Sequence, residues 1–301
     1  MALIPFDDRD GTIWYDGAMV PWRDAKLHVL THGLHYASAV FEGERCYSGN
    51  FFKLRDHTNR LLRSAGILGM TIPYSPDQID AACAAVVAAN GLVDAYIRPL
   101  AWRGSEQLSV SGQHTKIHMM IATWAWPNLF GDAKKQGVRL DMASWKRPHP
   151  ETAPTASKAT GLYMIGTMAK HAAEAAGFTD ALMLDWRGRV AEATGANVFF
   201  VFDGEIHTPT PDCFLDGITR RTVMALARKR QMTVVERAIQ PEEMARATEV
   251  FLAGTAAEVT SVRQIGGLHF DGGPITETLA TDYEALVRMT PAEVEARAPI
   301  I

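Results

Sequence analysis

Two of the five Asp-Gly dipeptides, Asp16-Gly17 and Asp203-Gly204, limit the folds open to this chain because each separates two short apolar segments. The segments are residues 12–15 with 18–20 and residues 196–202 with 205–208. Asp-Gly accepts the positive φ angles of a tight turn, so each pair predicts an antiparallel hairpin. Strands that follow one another in this way break strict strand–helix–strand alternation.

Apolar residues at helical spacing accompany the hairpins. They predict helices over residues 55–68, 219–230 and 275–288. Ser75-Pro76-Asp77-Gln78 has the pattern of a capping box with proline at the first helical position, which predicts the start of a further helix. Strands and helices mix along the chain, so we expect an α/β fold of the mixed α+β kind.

Residues 126–137 interrupt this pattern with a proline, two glycines and a cluster of charges. A chain of 301 residues favours two domains of about 150 residues each. We therefore expect a small N-terminal domain over residues 1–125, an interdomain loop over residues 126–137 and a large C-terminal domain over residues 138–301.

The composition excludes several classes of function. A net charge of −4 argues against broad binding to nucleic acid, and no apolar stretch is long enough to predict a membrane span. Three separated cysteines and the lack of a signal-peptide pattern favour a cytoplasmic protein without disulfides. The histidine pairs His32/His35 and His114/His118 have no cysteine or carboxylate at ligand spacing, so we expect no metal.

Lys158 is a candidate for covalent chemistry. It stands in Ser157-Lys158-Ala159-Thr160-Gly161, between a proline-rich loop and a predicted helix, where small neighbours let other groups approach. A lysine held in such a site can have a lowered pKa and form a Schiff base with an aldehyde. The phenol of Tyr163 could reach the same place. The alternative is a solvated surface lysine with a core tyrosine nearby.

Two segments could bind a phosphate group. Residues 215–220 precede a predicted helix, and the amides of Ile218 and Thr219 would point outwards at its positive end. The alternative is an ordinary helix start capped by Asp216 or Thr219. The segment that contains Thr255 follows a predicted strand, and its small residues would expose backbone donors; a tight turn is the alternative.

Two charged residues could complete such a site. Arg60 lies on a helical face together with Arg63, where a surface salt bridge is the alternative. Glu192 lies among small residues before an apolar strand, so it would be partly desolvated and need a cationic partner. A protonated pyridine nitrogen would serve, and a loop glutamate that faces water is the alternative.

The order of these motifs resembles that of the fold-type IV pyridoxal-phosphate enzymes, most closely the branched-chain amino-acid aminotransferases. The resemblance runs from His28 to Arg263, over most of the chain. Its motifs are, in order, Arg60, Tyr96-Ile97-Arg98-Pro99, Ser157-Lys158, Glu192 to Asn197, Leu215 to Arg220 and Gly254 to Glu258. It implies two α/β domains with pyridoxal 5′-phosphate in the cleft between them.

The resemblance also implies roles for individual residues. Lys158 matches the lysine that holds the cofactor as an aldimine and later moves the substrate proton. Glu192 matches the acid that pairs with the pyridine nitrogen, so that the ring can act as an electron sink. Tyr163 matches the phenol on the ring oxygen, and Asn197 a residue near the ring. Arg60, Ile218, Thr219 and Thr255 match the phosphate cradle.

The residues implied for the substrate are spread more widely. Tyr96 and the amides of Thr255 and Ala256 match groups that hold the α-carboxylate, and Arg98 matches the arginine associated with the distal carboxylate of glutamate. The walls of the apolar pocket are matched by Tyr36, Phe41, Tyr163 and Trp126. Val110 and Tyr36 would act across a subunit interface, which implies a homodimer or a higher homo-oligomer.

The expected reaction is transfer of the amino group from L-leucine, L-isoleucine or L-valine to 2-oxoglutarate, with amino and 2-oxo acids as the partners. The alternatives are another enzyme of the same fold type (a D-amino-acid or R-selective amine transaminase, or aminodeoxychorismate lyase) and a non-catalytic protein. Two positions depart from the family pattern. The segment of residues 104–109 is not glycine-rich, and Leu129 stands near a position that is often aromatic.

Overall fold

The computed structural model describes residues 4–126, 136–290 and 292–293. These residues form two compact units. The first unit contains the chain up to Trp126 together with Ser157–Gly161, and the second contains the described residues from 136 to 156 and from Leu162 onwards. Most of the predicted interdomain loop, with Leu129, lies outside the described residues, so the domain boundary stays a prediction.

The first unit is built on an antiparallel sheet of seven strands in the order β2-β1-β7-β6-β4-β5, with β3 paired to β6. Its strands are β1 Thr12–Tyr15, β2 Ala18–Pro21, β3 Ala39–Phe41, β4 Glu44–Tyr47, β5 Asn50–Phe51, β6 Ala95–Arg103 and β7 Ile117–Trp124. Its helices are α1 His32–Tyr36, α2 Leu54–Ile67 and α3 Pro76–Ala89. The core holds Leu61, Ile79 and Ile97, each fully buried.

The second unit contains a nine-stranded mixed sheet. Its strands are β8 Val138–Met142, β9 Asp180–Leu184, β10 Val190–Ala193, β11 Asn197–Phe202, β12 Glu205–Pro209, β13 Val234–Arg237, β14 Glu249–Gly254, β15 Glu258–Ile265 and β16 Leu268–His269. Its helices are α4 Met164–Ala175, α5 Ile218–Lys229 and α6 Pro274–Val287. Short 3₁₀ helices span Trp22–Asp24 of the first unit, Pro241–Arg246 of the second unit, and Thr160–Tyr163.

Six of these strands close into a ring, β10-β9-β8-β15-β14-β11, because β10 also pairs with β11. The pair that closes the ring is Glu192 with Asn197. Apolar side chains such as Leu140, Val198 and Leu252 are buried in the core of this unit. Two residues singled out from the sequence thus lie opposite each other where the ring closes.

The mixed α/β class and both Asp-Gly hairpins are confirmed. Asp16 and Gly17 have φ angles of 47° and 95°, as the turn between β1 and β2 requires. Several strands, β10, β15 and β16 among them, were not predicted. Strand β10 is short and buried along its whole length, so its sequence shows no alternation, and Glu192 lies in a strand rather than in a loop. None of the described helices is long and apolar enough to span a bilayer.

The capping box of α3 is formed as predicted. The Gln78 amide donates to Ser75 Oγ at 3.2 Å, and the Ser75 amide donates to Gln78 Oε1 at 2.8 Å. We expect Ser75→Ala to lower the free energy of unfolding by about 1 kcal/mol, and Ser75→Gly by only a few tenths. Denaturant unfolding followed by circular dichroism measures both, and an unchanged midpoint in Ser75→Ala would contradict the expectation.

Glu44 of β4 is a fully buried carboxyl group. Its Oε2 lies 3.7 Å from Cys83 Sγ on α3. Burial, followed by the nearby charge of Glu42, raises the pKa of Glu44 well above its ordinary value. Since the pKa is higher in the folded than in the unfolded state, the stabilisation is fully present below about pH 4.3 and is lost as the pH rises towards the folded-state pKa.

Glu44→Gln tests this, because glutamine has the shape of the protonated acid. We expect the difference between the free energies of unfolding, variant minus wild type, to increase by about 1.4 kcal/mol for each pH unit above about pH 4.3. The increase ends where the pH reaches the folded-state pKa of Glu44. Unfolding curves at several pH values measure the difference. Glu151→Gln, at an exposed carboxylate, is the control, and a pH-independent difference for Glu44→Gln would refute the explanation.

Candidate active site

Lys158 is held through its peptide group by two elements of the first unit. The Phe41 amide at the end of β3 donates to the Lys158 carbonyl at 3.1 Å. The Lys158 amide donates to Ser64 Oγ on α2 at 3.0 Å. Lys158 Nζ lies 4.9 Å from the centre of the Phe41 ring, and the residue is half-buried. These contacts fix the lysine backbone and contradict the alternative of a solvated surface lysine.

Arg60 is buried on α2 and makes a bidentate ion pair with Glu42. Its Nε and NH2 atoms donate to the two carboxylate oxygens at 2.6 and 2.8 Å. His57 Nδ1 lies 2.7 Å from Glu42 Oε2. Arg60 and His57 hold the pKa of Glu42 well below its usual range, although burial alone would raise it. The alternative of a surface salt bridge at Arg60 is therefore wrong.

Glu42 has a structural role that the sequence did not reveal. Its carboxylate accepts hydrogen bonds from one edge of the Arg60 guanidinium and so fixes the plane of that group. Burial lowers the pKa of His57, which favours the neutral ring beside the carboxylate. The available signal was the segment Phe41-Glu42-Gly43, where an acid stands beside a residue of the predicted pocket.

Tyr96 and Arg98 stand two residues apart on β6 and therefore point to the same side of the sheet. Arg98 NH2 donates to the Tyr96 hydroxyl at 2.9 Å, and the Arg98 guanidinium carbon lies 4.7 Å from the centre of the Phe41 ring. The Tyr96 and Trp126 rings stack with centres 4.6 Å apart. A Cβ at Gly43 would lie 2.0 Å from the Tyr96 hydroxyl, so the glycine makes room for it.

Tyr36 and Val110 lie elsewhere on the first unit. Tyr36 is the last residue of α1 and is 45% exposed, and Val110 is 87% exposed in the loop between β6 and β7. The structure thus gathers Phe41, Tyr96, Arg98 and Trp126 but leaves these two side chains at the surface. A side chain that completes the site of a neighbouring subunit must be exposed on its own chain, as these two are.

Glu192 is 8% exposed in the second unit, and both of its carboxylate oxygens have partners. Asn197 Nδ2 donates to Glu192 Oε2 at 3.2 Å and to the Leu215 carbonyl at 3.0 Å. The expectation of a desolvated carboxylate is met, and the alternative of a water-facing glutamate is wrong.

Arg147 was not predicted for this site. Its NH2 atom lies 3.0 Å from Glu192 Oε1 and 3.2 Å from the Thr194 carbonyl, and the side chain is buried. Its positive charge compensates the negative charge of the buried carboxylate beside it. The signal that could have found it is its place in the proline-rich loop that precedes Lys158.

Helix α5 begins at Ile218 after Gly217, and its first turn has no side-chain cap among the described residues. Asp216, one of the two predicted caps, bonds instead to Arg220 at 2.8 Å. A Cβ at Gly217 would lie 2.3 Å from Asn197 Oδ1, so only glycine fits beside Asn197. The alternative of a helix capped by Asp216 or Thr219 is wrong, and the amides of the first turn suit an anion.

The turn that carries Thr255 and Ala256 joins β14 to β15 near the same place. Ala253 is in register with Asn197, and a Cβ at Gly254 would lie 3.2 Å from Ala196 Cβ. Tyr163 ends a 3₁₀ helix and is half-buried, and its carbonyl accepts a bond from Thr167 Oγ1 at 3.1 Å. The second unit thus groups Glu192, Asn197, the start of α5 and this turn.

The groupings fit a phosphorylated pyridine. An uncapped helix start suits a phosphate, and a buried carboxylate held by fixed partners suits a protonated ring nitrogen.

Among the described residues, Asp185, Asp212 and Cys213 are the one group with metal-ligand atoms close together. Arg187 bonds both of these carboxylates, and burial raises the pKa of Cys213 to about 12, which disfavours the thiolate.

The comparisons with known proteins agree with this chemistry. A model of the family described as amino-transferase class IV matches residues 39–265. A branched-chain-amino-acid aminotransferase of Pseudomonas aeruginosa is 43% identical over 288 residues, which cover 93% of this chain and 94% of that protein.

Solved structures are similar over nearly the whole chain. The branched-chain aminotransferase of Thermoproteus uzoniensis with norvaline is 37% identical with a TM-score of 0.90, covering 95% of this chain and 97% of that one. The T.th. branched-chain amino acid aminotransferase complexed with N-(5′-phosphopyridoxyl)-L-glutamate is 38% identical with a TM-score of 0.90, covering 96% and 97%. The expected fold type is confirmed, and the chain belongs to the class IV aminotransferase family.

Proposed function

We propose that this chain transfers the amino group of L-leucine, L-isoleucine or L-valine to 2-oxoglutarate, with pyridoxal 5′-phosphate attached to Lys158. The observation that carries the proposal is similarity over more than nine-tenths of the chain to a branched-chain-amino-acid aminotransferase. The lysine, the buried carboxylate and the uncapped helix start supply the groups that such a cofactor needs.

Lys158 is the residue that moves the proton in this proposal. When bound, pyridoxal phosphate supplies an electron sink for the charge that develops at the substrate Cα. Lys158 Nζ takes the proton from that carbon, and the contacts of its peptide group with Phe41 and Ser64 limit the positions that Nζ can reach. Positioning of this kind supports general acid–base catalysis.

Glu192 keeps the pyridine nitrogen protonated. Arg147 and Asn197 each hold one of its carboxylate oxygens, so the carboxylate is oriented before the cofactor binds. Asn197 acts near the ring through this contact, and the Tyr163 hydroxyl bonds the ring oxygen. The fixed partners keep the carboxylate in one orientation, which suits a ring nitrogen that must be met from one direction.

The phosphate is held by Arg60, by the amides of Ile218 and Thr219 and by Thr255. The guanidinium is already oriented by Glu42, and the helix start offers backbone donors with the positive end of the helix dipole. The guanidinium is held by its ion pair with Glu42 and the amides are held by the helix, so little reorganisation within either group is needed for binding.

The substrate is held by its α-carboxylate and its apolar side chain. Tyr96 and the amides of Thr255 and Ala256 bind the carboxylate. Phe41, Tyr163 and Trp126, with Tyr36 and Val110 of a neighbouring subunit, line the apolar pocket. We propose a homodimer as the smallest active form, and the exposed apolar side chains Val29, Leu34 and Val110 support it.

Arg98 is proposed to bind the distal carboxylate of 2-oxoglutarate and glutamate. It lies over the Phe41 ring and bonds to Tyr96, so one pocket can offer an apolar wall and a guanidinium. The phosphopyridoxyl-glutamate complex of the T.th. enzyme supports glutamate as the second substrate.

Replacement of the lysine is the first test. We expect Lys158→Ala to lose transamination of L-leucine by roughly 10³-fold or more, because the proton carrier is gone. It should also lose the attachment of cofactor that borohydride reduction makes permanent, which mass spectrometry detects. Lys229→Ala, an exposed lysine on α5, is the control.

Normal transamination in Lys158→Ala would refute the assignment of the lysine. Transamination of D-alanine but not of L-leucine by the wild-type protein would replace the proposal with a D-amino-acid enzyme of the same fold type. A colourless protein that does not take up pyridoxal phosphate would indicate a non-catalytic role.

The second test separates the two substrates at Arg98. We expect Arg98→Leu to raise the KM for 2-oxoglutarate by roughly 10- to 100-fold, because a charge-assisted bond is lost. The KM for L-leucine should change much less, and Arg98→Lys should recover part of the loss. Steady-state kinetics with each substrate varied measures both, and equal changes for the two substrates would count against this role.

A further inference from the structure

His32 links the two surface residues that are proposed to serve a neighbouring subunit. It is the first residue of α1 and only 3% exposed, whereas Tyr36 at the end of the helix and Val110 in the β6–β7 loop are exposed. The sequence assigned this histidine no role, because the pair His32/His35 lacks the further ligands of a metal site.

Both ring nitrogens of His32 are used. Nε2 lies 2.9 Å from the Ser109 carbonyl and Nδ1 lies 2.6 Å from Ser38 Oγ. A carbonyl oxygen only accepts, so Nε2 carries the hydrogen, and in the neutral ring Nδ1 accepts from the serine hydroxyl. The histidine therefore holds the residue that directly precedes Val110.

The face of the same ring packs on Tyr36, with ring centres 4.7 Å apart and planes inclined by 34°. The loop also approaches His32 closely at Gly112, where a Cβ would lie 2.9 Å from Nε2. One buried side chain thus contacts Tyr36 and holds the tip of the loop.

Other contacts act at the base of the loop and within it. The Lys116 amide donates to Glu106 Oε2 at 3.0 Å, the His114 amide donates to Gln107 Oε1 at 3.2 Å, and Arg103 NH1 donates to the Gly112 carbonyl at 3.0 Å. Glu106 and Gln107 belong to the segment that departs from the glycine-rich family pattern. Gln107 Nε2 also donates to Ser109 Oγ at 3.4 Å, and Ser109 Oγ donates to the Ser111 carbonyl at 2.7 Å. These contacts join residues of the loop to one another, whereas the bond from His32 joins Ser109 to α1.

We propose that His32 is a positioning residue that fixes Tyr36 and Val110 relative to each other. It thereby determines how the branched side chain of the substrate fits in the neighbouring subunit's pocket. This inference rests on the proposed function, since it takes both residues as part of the substrate pocket. The histidine does not touch substrate; it acts through the two residues that do.

The test compares His32→Leu with His32→Gln in the holoenzyme. We expect His32→Leu to raise the KM for L-leucine about tenfold with little change in kcat, because a hydrogen bond that orders the pocket wall is lost. His32→Gln should recover most of the loss, since its side-chain amide can donate to the Ser109 carbonyl. His35→Ala, on the same helix but bonded to the Val29 carbonyl, is the matched control.

Hydrogen exchange of the amides of residues 107–112 is a readout that does not depend on activity. It should become roughly tenfold faster in His32→Leu and remain at the wild-type rate in His35→Ala. Unchanged exchange and KM in His32→Leu, or equal effects in His35→Ala, would overturn the proposal. Lack of leucine transamination in the wild type would refute the proposed function, while the exchange result would still decide whether His32 holds the loop.

Discussion

Two carboxylates in the interior of this protein, Glu42 and Glu192, are each held by a buried arginine. A buried charge is costly unless a partner of opposite charge is fixed beside it, so each pair ties distant parts of the chain together. Glu42 orients Arg60, and Arg147 orients Glu192. The arrangement of the phosphate and ring contacts in the proposed site depends on these two ion pairs, because each fixes a charged group before any ligand arrives.

The elements that the sequence predicts well are those whose signals are local. The turn at Asp16-Gly17 and the capping box of Ser75 and Gln78 depend only on residues next to each other, and the structure has them as predicted. Strand β10 was missed because it is buried on both sides, so no alternation marks it. Its identity as a strand comes from its neighbours β9 and β11, which the sequence does not place beside it.

The same distinction, between local signals and those that depend on distant residues, applies to the site. Lys158 and Glu192 emerged from the order of several motifs, none decisive alone, and the uncapped start of α5 emerged from the pattern of a turn before a helix. Glu42 and Arg147 were missed because their meaning depends on a partner far away in the chain. An anion site needs only a few placed donors, so a net charge of −4 gives no hint of whether the chain has one.

The six-stranded ring of the second unit closes at a short seam. Strands β10 and β11 share one register pair there, whereas β11 and β14 share five. The short seam costs less to open than the other strand pairs of the ring. A ligand that bonds Glu192 beside Asn197 would therefore stabilise the closed ring of strands. By thermodynamic linkage, a change that favours the closed ring would also strengthen binding of that ligand.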